Sequence, residues 1–309
     1  MHISVLPKEV IEYLDPQPNE NFIDATLGNA GHSIALLEKN GPKGKVLGID
    51  QDSEQIKNQA LRQQRADEDE GFALIAKRLI LVNDNFANLK EIVDQEKIKD
   101  IAGIILDLGM SSWHLEDSGR GFSFLKEEPL DMRYGGEARL SAEKILNYGS
   151  YQEIERILRE YGQERFAAKI AAKIVEARKA RPIKTTLQLV EIIKQAVPTG
   201  YQHQKIHYAT KTFQALRIAV NEELDNLIKV LPQAVDILKD KGRLVVISFH
   251  SLEDRIVKNF FREKAKENVL QIITKKPIVP KAEEIKINSR SRSAKLRAAE
   301  KTCHKQADA

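Results

Sequence analysis

Continuous apolar runs alternate with amphipathic stretches in the first third of the chain, and the alternation returns near the carboxyl terminus. Such runs are typical of parallel strands that are buried on both faces of a sheet. The stretches between them repeat apolar residues at helical spacing. The pattern therefore predicts an α/β fold with a doubly wound sheet. The predicted strands are 21–26, 45–50, 79–84, 101–108, 242–250 and 270–274, with 292–300 as a further candidate.

The helices between these strands are predicted from the same periodicity and from local start and stop signals. Asp15-Pro16 closes the first helix, and Asp52 or Ser53 caps the helix that follows the second strand. The predicted helices of this part of the chain are 8–14, 31–39, 53–66, 88–93, 209–230 and 252–264.

The alternation stops between residues 109 and 209, where the sequence has no comparable apolar strand. Helical patterns replace it: Phe166, Ile170 and Ile174 recur at four-residue spacing, and Arg181-Pro182 ends that helix. The segment is predicted to be a helical insertion in an α/β domain. The expected boundaries are 1–110 and 210–309 for the core domain and 111–209 for the inserted helical domain.

The composition is that of a globular protein of 309 residues, with 42% hydrophobic residues, 30% charged residues and a mean hydropathy of −0.41. No run approaches the roughly 18 apolar residues that a membrane span needs. The first residues also lack the pattern of a secretory signal. The single cysteine, Cys303, argues against a disulfide framework and a thiolate metal site. We therefore expect a cytoplasmic enzyme with no membrane association and no metal ion.

The net charge of +4 is small, but positive charge is concentrated near the carboxyl terminus. Between Lys286 and Lys305 there are seven Lys and Arg residues and one acidic residue, Glu300. Such a cluster suits an anionic partner. An exposed basic edge strand that resists aggregation is the alternative. Composition alone leaves both interpretations open.

A glycine turn follows the first predicted strand, in the segment FIDATLGNAGHS. A dinucleotide site places its pyrophosphate on a helix N-terminus, with glycines that let the backbone approach it. Here Gly28 and Gly31 are present, but Ala30 stands between them and the last glycine of the G-x-G-x-x-G pattern is absent. The turn is therefore a poor match to a phosphate-binding loop.

Acidic residues stand at the ends of three predicted strands: Asp24, Asp50 and Asp107. In open α/β sheets the ligand lies at the carboxyl ends of the strands. Asp50 lies 22 residues beyond Gly28, about the distance at which an acid meets ribose hydroxyls. S-adenosyl-L-methionine fits such a site because it has a ribose, no phosphate, and two positive charges that acids favour. Turn glycines with a purely structural role are the alternative.

Several longer segments resemble one family, the bacterial 16S ribosomal RNA (cytosine-N4) methyltransferases, over nearly the whole chain. The resemblance implies a class I S-adenosylmethionine-dependent methyltransferase, a Rossmann-like doubly wound sheet with an inserted helical domain. It also implies methylation of the N4 amine of a cytidine in the decoding region of 16S rRNA. The segments that carry it are SVLPKEV, DATLGNAGHS, GIDQD, ILDLGMSS, RGFSF, PLDMR, YGQERFA, ATKTFQALRIAVNEEL, GRLVVISFHSLEDRIVK and RSRSAKLR.

The resemblance also implies which residues contact the cofactor, although this chain departs from the family pattern near two of them. Ala30 stands where the family usually has glycine, and His114 stands where it favours glutamine. Tyr208, Lys211 and Ser289 are further departures. The implied cofactor-binding residues are Ala30, Gly31, His32, Asp50, Phe86, Asp107 and His114.

Methylation of an exocyclic amine depends mainly on orientation and desolvation, with acceptors placed on the amine hydrogens. We expect Asp107 and nearby backbone carbonyls to orient the amine, and His250 to be a candidate for proton removal. A cofactor contact only is the alternative for Asp107, and a hydrogen-bonded structural role is the alternative for His250. Glu253 and Asp254 are expected to cap and charge-pair a helix N-terminus.

The substrate base must leave its stack to reach a buried methyl donor. Arginine grips phosphate and stacks on bases, and phenylalanine stacks. A core role for the two phenylalanines is an equal alternative. The candidate RNA-binding residues are Arg120, Phe122, Phe124 and Arg133.

Two other classes of function compete with a methyltransferase that acts on 16S rRNA in the small ribosomal subunit. A nicotinamide-dependent dehydrogenase is disfavoured by the missing glycine, and a non-catalytic RNA-binding factor is disfavoured by the three acids. DNA is a lesser alternative substrate. A zinc site at His203 and His207 lacks a third ligand in the sequence around it. The oligomeric state stays open, with a homodimer as one alternative.

Overall fold

The computed structural model describes residues 3–65, 74–135 and 140–303. The helices are α1 Pro7–Leu14, α2 Gly31–Lys39, α3 Ser53–Arg65, α4 Leu89–Glu96, α5 Ser112–Glu116, α6 Ala142–Tyr148, α7 Tyr151–Glu160, α8 Ala167–Ala180, α9 Thr186–Ala196, α10 Thr199–Gln202, α11 Thr210–Asn221, α12 Glu223–Ile237, α13 Ser251–Lys266 and α14 Ala282–Ile287. The strands are β1 Asn21–Asp24, β2 Val46–Asp50, β3 Leu79–Asn83, β4 Ile101–Asp107, β5 Leu238–Ser248, β6 Leu270–Ile272 and β7 Lys295–Lys301.

The chain forms two compact units, Met1–Gly109 with Asp225–Ala309, and Met110–Leu224. The first boundary lies one residue before the expected 110/111. The second boundary lies fifteen residues later than the predicted 209/210, because α11 belongs to the second unit. The apolar face of α11, with Phe213 and Leu216, is part of the second unit's core, a packing that the helical pattern alone does not reveal.

The first unit is built on a seven-stranded sheet with the order β3-β2-β1-β4-β5-β7-β6. The first five strands in chain order are parallel, and β7 runs antiparallel between β5 and β6. The strand order reverses between β1 and β4, and ligands of doubly wound sheets bind at this position. The fully buried side chains of β1, β2 and β4, among them Phe22, Leu47 and Ile104, confirm the prediction of strands covered on both faces.

Two details of the predicted helices are wrong. The single helix predicted over 209–230 is two helices, because Glu222 adopts a left-handed conformation with φ 50° and ends α11. The following helix, α12, then continues through Pro232 to Ile237 rather than stopping before the proline. Proline removes one backbone donor but does not stop a helix whose apolar face is buried, as Leu227 and Val235 show here.

The acidic residues predicted at strand ends lie on one edge of this sheet. Asp24 is in register with Gly48 of β2 and Ile105 of β4, and Asp50 ends β2 beside Asn83. Asp107 ends β4 and is in register with Ile247 of β5. The carboxyl ends of β1, β2, β4 and β5 therefore bring these groups to a common edge.

The second unit is a helical bundle, and three of its helices begin at side chains that the sequence favours for capping. Ser141, Ser150 and Thr185 each accept a backbone N–H of the helix that follows, and Thr185 forms a full capping box with Gln188. The buried residues of α8 include Ile170 and Ile174, as their spacing predicts. Across residues 3–65, 74–135 and 140–303, no helix is long and apolar enough to cross a membrane.

Candidate functional site

The glycine loop between β1 and α2 is held in shape by hydrogen bonds to the ends of β2 and β4. Gly28 adopts φ +49° and donates its N–H to Asp50 Oδ2 at 2.9 Å. Ala30, which precedes α2, is also left-handed with φ 61°. Thr26 Oγ1 accepts the backbone N–H of Asp107 at 2.7 Å, which ties the loop to β4. The loop is therefore fixed against the ends of both neighbouring strands.

Asp50 accepts backbone N–H groups through both carboxylate oxygens, one from the glycine loop and one from the residue before α3. Its Oδ2 accepts from Gly28, and its Oδ1 accepts the N–H of Asp52 at 2.9 Å. Asp52 in turn caps α3 by accepting the N–H of Glu54 at 3.0 Å, as predicted. Phe86 lies in a 3-10 turn after β3, half-buried against the core of the sheet. Asp50, at the end of β2, and Phe86, after β3, therefore both lie at the carboxyl edge of the sheet.

His32, in the first turn of α2, is buried close to the acids of β1 and β4. Its Nε2 lies 3.4 Å from Asp107 Oδ2, a charge-pair distance longer than an ordinary hydrogen bond. Neither ring nitrogen has a hydrogen-bond partner among the described residues. Asp24, 1% exposed, accepts the hydroxyl of Ser33 at 2.7 Å. The three titratable groups form an Asp24–His32–Asp107 cluster.

Burial and charge act in opposite directions in this cluster. Burial raises the pKa of the Asp24 carboxyl above its ordinary 3.8, and the His32 charge, Ser33 and Thr26 offset this only in part. Burial works against the charged form of His32, but the contact with Asp107 and the fields of Asp107 and Asp24 raise the pKa of His32 above its ordinary 6.5. The folded protein therefore holds protons more tightly here than the unfolded chain does.

This difference predicts how stability depends on pH. Because the pKa of His32 is raised in the folded state, its contribution to stability is complete below pH 6.5 and is lost as the pH rises through the folded pKa. The raised pKa of Asp24 acts in the same direction, because its contribution to stability begins to be lost as the pH rises above the ordinary pKa of 3.8. We expect the melting temperature of the ligand-free protein to fall by a few degrees between neutral and alkaline pH.

The measurement is a series of thermal melts across that range, with His32→Gln beside the wild type. The variant should lose most of the dependence because it has no imidazole to titrate. A control variant, His203→Gln, removes an exposed histidine of the second unit and should keep it. A wild-type melting temperature that rises or stays constant above pH 6.5 would contradict the assignment.

His250 follows β5 and precedes α13, where it forms a capping box with Glu253. Its Nδ1 accepts the N–H of Glu253 at 3.4 Å, while its Nε2 lies 3.1 Å from Glu253 Oε1 outside hydrogen-bond geometry. Glu253 Oε2 accepts the N–H groups of Phe249 and His250 at 2.7 and 3.1 Å. Asp254 pairs with Arg297 at 2.7 Å and Lys295 at 3.5 Å. The predicted capping and charge-pairing roles of Glu253 and Asp254 are confirmed.

His114 lies in α5 of the second unit, within an aromatic cluster. Ser111 Oγ lies 2.9 Å from its Nδ1, and its ring is 4.9 Å from Tyr134 and 5.2 Å from Phe122 between centroids. The side chain is buried, and the ring of Trp113 packs edge-on against it at 5.3 Å. Its predicted side-chain contact with the cofactor stays a prediction.

The four residues proposed for RNA contact are all in the second unit but differ in exposure. Phe122 is 5% exposed and stacks on Tyr134, which is the placement expected of a core residue. Phe124 is half-buried and stacks on His207 at 4.6 Å. Arg120 is half-buried, lies over the ring of Trp113 and donates to the Tyr134 carbonyl at 2.7 Å. Arg133 is half-exposed and pairs with Asp131.

Sequence reasoning missed the residues that support the site rather than line it. Ser33 and Thr26 each hold a candidate residue or its loop in place. Ser33 directly follows His32, but nothing in the sequence indicates that it faces Asp24. Glu253 was predicted as a capping residue, but the sequence did not assign it to the support of His250.

The chemistry of the edge fits S-adenosyl-L-methionine. Two positive charges on the donor suit Asp24, Asp50 and Asp107, and residues 24–33 contain no Lys or Arg that would favour a pyrophosphate. The buried His32 ring offers two nitrogen atoms with no hydrogen-bond partner in the described part of the chain. Buried polar groups of this kind usually have a partner, which a bound ligand can supply.

The sheet order, with β7 antiparallel beside β5, and the acidic carboxyl edge define a class I S-adenosyl-L-methionine-dependent methyltransferase. The chain belongs to the MraW methylase family, whose model matches residues 1–302. This membership excludes the dehydrogenase alternative.

Curated relatives match along the whole chain. Ribosomal RNA small subunit methyltransferase H of Geotalea daltonii is 46% identical over 315 residues, covering 97% of this chain and 98% of the relative. The proteins of the same name from Clostridium botulinum, strain Kyoto, and Heliobacterium mobile are 45% and 44% identical, with the same coverage. Among solved structures, an rRNA methylase from Streptococcus thermophilus is similar with a TM-score of 0.44 at 12% identity, covering 98% of this chain and 99% of that one.

Proposed function

We propose that the protein transfers a methyl group from S-adenosyl-L-methionine to the N4 amine of a cytidine in the decoding region of 16S rRNA. The observation that carries the proposal is the 44–46% identity, over nearly the full length of both chains, to relatives named ribosomal RNA small subunit methyltransferase H. The substrate is then ribosomal RNA, in the small subunit or its precursor. The cytoplasm, where ribosomal subunits are assembled, is the proposed place of action.

Three parts of the first unit have proposed roles toward the cofactor. Asp50 receives the ribose hydroxyls, Phe86 lies beside the adenine, and the Ala30–His32 turn borders the methionine portion. S-adenosyl-L-methionine supplies an electrophilic methyl group when it is bound. The buried position of His32 supports this arrangement because it keeps water away from the reacting atoms.

Asp107 is proposed to orient the target amine. Its Oδ1 accepts the N–H of Gly109 at 3.3 Å, and its Oδ2 faces His32, so the carboxylate is held from two sides. A fixed carboxylate that accepts a hydrogen bond from the amine turns the nitrogen lone pair toward the methyl group. The charge that develops on the amine is stabilised by the same carboxylate.

His250 is proposed to accept the proton that the methylated amine must lose. Its Nδ1 accepts the backbone N–H of Glu253 through a long 3.4 Å contact, so the neutral ring carries its hydrogen on Nε2, and Nδ1 is the atom that takes the proton when that contact opens. The Glu253 carboxylate, 3.1 Å from Nε2, stabilises the imidazolium that results. Glu253 is thus a positioning residue for His250.

The variant His250→Asn separates catalysis from capping. Asparagine is a good N-cap, so the free energy of unfolding should stay within about 1 kcal/mol of the wild-type value. The rate of methyl transfer should fall roughly 100-fold, because a positioned acid or base contributes about that much. Wild-type turnover in this variant would assign His250 a structural role only.

The proposed function is tested by mass spectrometry of 16S rRNA after incubation with the protein and the methyl donor. Small subunits from cells that lack the gene are the substrate, and the expected product is N4-methylcytidine in the decoding region. Methylation at a carbon atom, at another base or only in transfer RNA would contradict the proposal. Deproteinised 16S rRNA in a parallel reaction shows whether the assembled subunit is required.

A further inference from the structure

A basic segment of the first unit lies outside the acidic crevice, between β6 and β7. Only two acids accompany its cations, and Glu284 already accepts the backbone N–H of Leu6 at 2.9 Å. The other acid, Glu283, is exposed on α14. The segment therefore carries a surplus of positive charge. Its cations are Lys275, Lys276, Lys281, Lys286, Arg290 and Arg292.

The structure divides the basic cluster that the sequence analysis identified. Lys295 and Arg297 pair with Asp254, and Arg297 is 7% exposed. Lys301 donates to the carbonyls of Asp236 and Leu238 at 3.1 and 2.7 Å. These cations stabilise the sheet edge and are not available to a partner.

Three cations between residues 281 and 292 are directed to solvent, as Lys275 and Lys276 also are: Lys281, Lys286 and Arg292. All three are exposed, and none of their side chains has a hydrogen bond or ion pair within residues 3–65, 74–135 and 140–303. Unpaired exposed cations keep their full attraction for a mobile polyanion. We call these three residues the 281–292 surface.

The 281–292 surface lies at the carboxyl edge of the sheet. Because β7 is antiparallel, its first residue, Lys295, is in register with Ser248, the last residue of β5. Ser248 also donates its hydroxyl to the Lys295 carbonyl at 3.3 Å. The chain that leads into β7 therefore arrives at the edge where Asp107 and His250 lie.

The same segment is fastened to the glycine loop through the amino-terminal residues. Asn288 donates its side-chain N–H to the Ile3 carbonyl at 3.0 Å, and Glu284 accepts from Leu6. Between these two contacts is Ser4, whose Oγ lies 2.0 Å from where a Cβ on Gly31 would stand. Residues 3–6 thus connect the basic segment directly to the loop that precedes α2.

We propose that the 281–292 surface binds the phosphodiester backbone of the RNA strand that flanks the target nucleotide. The inference rests on the proposed function, which supplies an RNA substrate at this edge of the sheet. Lysine and arginine bind phosphates without reading sequence, so the surface contributes affinity and register rather than base specificity. A strand that passes over it is led toward the acidic crevice where methyl transfer takes place.

The test compares three proteins in binding to a synthetic single-stranded RNA of the decoding region over a series of salt concentrations. One is the wild type, and one carries Lys281→Gln, Lys286→Gln and Arg292→Gln. The matched control carries Lys43→Gln, Lys97→Gln and Lys99→Gln, three exposed lysines that precede β2 and β4 at the opposite edge of the sheet. Binding of the methyl donor is measured for all three by calorimetry.

Loss of three phosphate contacts should lower the slope of log affinity against log salt by about 2, since each contact on a single strand contributes about 0.7. The affinity for RNA should fall at least roughly 10-fold at low salt. The control variant should keep the wild-type slope, and all three proteins should bind the methyl donor equally.

A surface variant with the wild-type slope, or a wild type without salt-dependent RNA binding, would overturn the inference. Equal losses in the surface variant and the control would show a general charge effect and overturn it too. The proposed function fails differently, by the absence of N4-methylcytidine after reaction with the wild type. The two failures are therefore distinguishable.

Discussion

Replacing Asp107 with alanine is expected to reduce methyl transfer at least about 100-fold, as removal of one positioned group at a reacting centre does in other enzymes. The carboxylate ends β4, contacts His32 at 3.4 Å and accepts from Gly109. Without it the target amine loses its proposed acceptor and the imidazole loses its charge partner. We also expect the pKa of His32 to fall, because burial is then opposed by Asp24 alone.

The Asp107→Ala measurement combines single-turnover methyl transfer, donor binding by calorimetry and thermal melts. The conservative variant Asp107→Asn keeps an acceptor but not the charge, so it should retain more activity than alanine. Asp94→Ala, which removes an exposed carboxylate of α4, is the matched control and should behave as wild type. Near-normal turnover in Asp107→Ala would reject the orienting role. A loss of donor binding that accounts for the whole defect would make Asp107 a cofactor contact only.

Replacing Asp50 with alanine is expected to weaken binding of S-adenosyl-L-methionine by roughly 30-fold or more. Two backbone N–H groups, of Gly28 and Asp52, lose their acceptor at 2.9 Å each. Hydrogen bonds to a charged group contribute about 1.5–3 kcal/mol each, so the loop should also be less stable. The variant thus removes both a proposed ribose contact and the support of the glycine turn.

The two roles of Asp50 can be separated with a modified ligand. S-adenosylhomocysteine and its 2′,3′-dideoxy form should differ strongly in affinity for the wild type if Asp50 binds the ribose hydroxyls. In Asp50→Ala that difference should disappear, while any loss from the loop affects both ligands equally. An undiminished preference for the ribose form in the variant would place the hydroxyl contact elsewhere.

Much of the fold could be predicted from the sequence because it depends on neighbouring residues. Buried parallel strands need continuous apolar runs, so β1, β2 and β4 are visible directly. Capping side chains such as Asp52 act over two or three residues, and this cap was predicted. The break at Glu222 was not predicted, because a left-handed residue other than glycine leaves no sequence signal.

The candidate site was predictable to the extent that it follows from chain order. Acids that end parallel strands must meet at one edge, which is why Asp24, Asp50 and Asp107 were found together. The partners of these acids were not predictable. Ser33 and Thr26 are common polar residues, and only the packed loop shows that their hydroxyls reach Asp24 and the backbone of Asp107.

The sequence by itself determined which segments are strands and where most of the helices lie, where the acids fall along the chain, and how much positive charge the carboxyl-terminal region holds. The tertiary structure decided which groups are close enough to change one another. It placed His32 between two carboxylates, and it paired Arg297 with Asp254 while leaving Lys286 in solvent. The physical reason is that periodicity and capping act between near neighbours, whereas electrostatic contacts depend on distances set by the packed sheet.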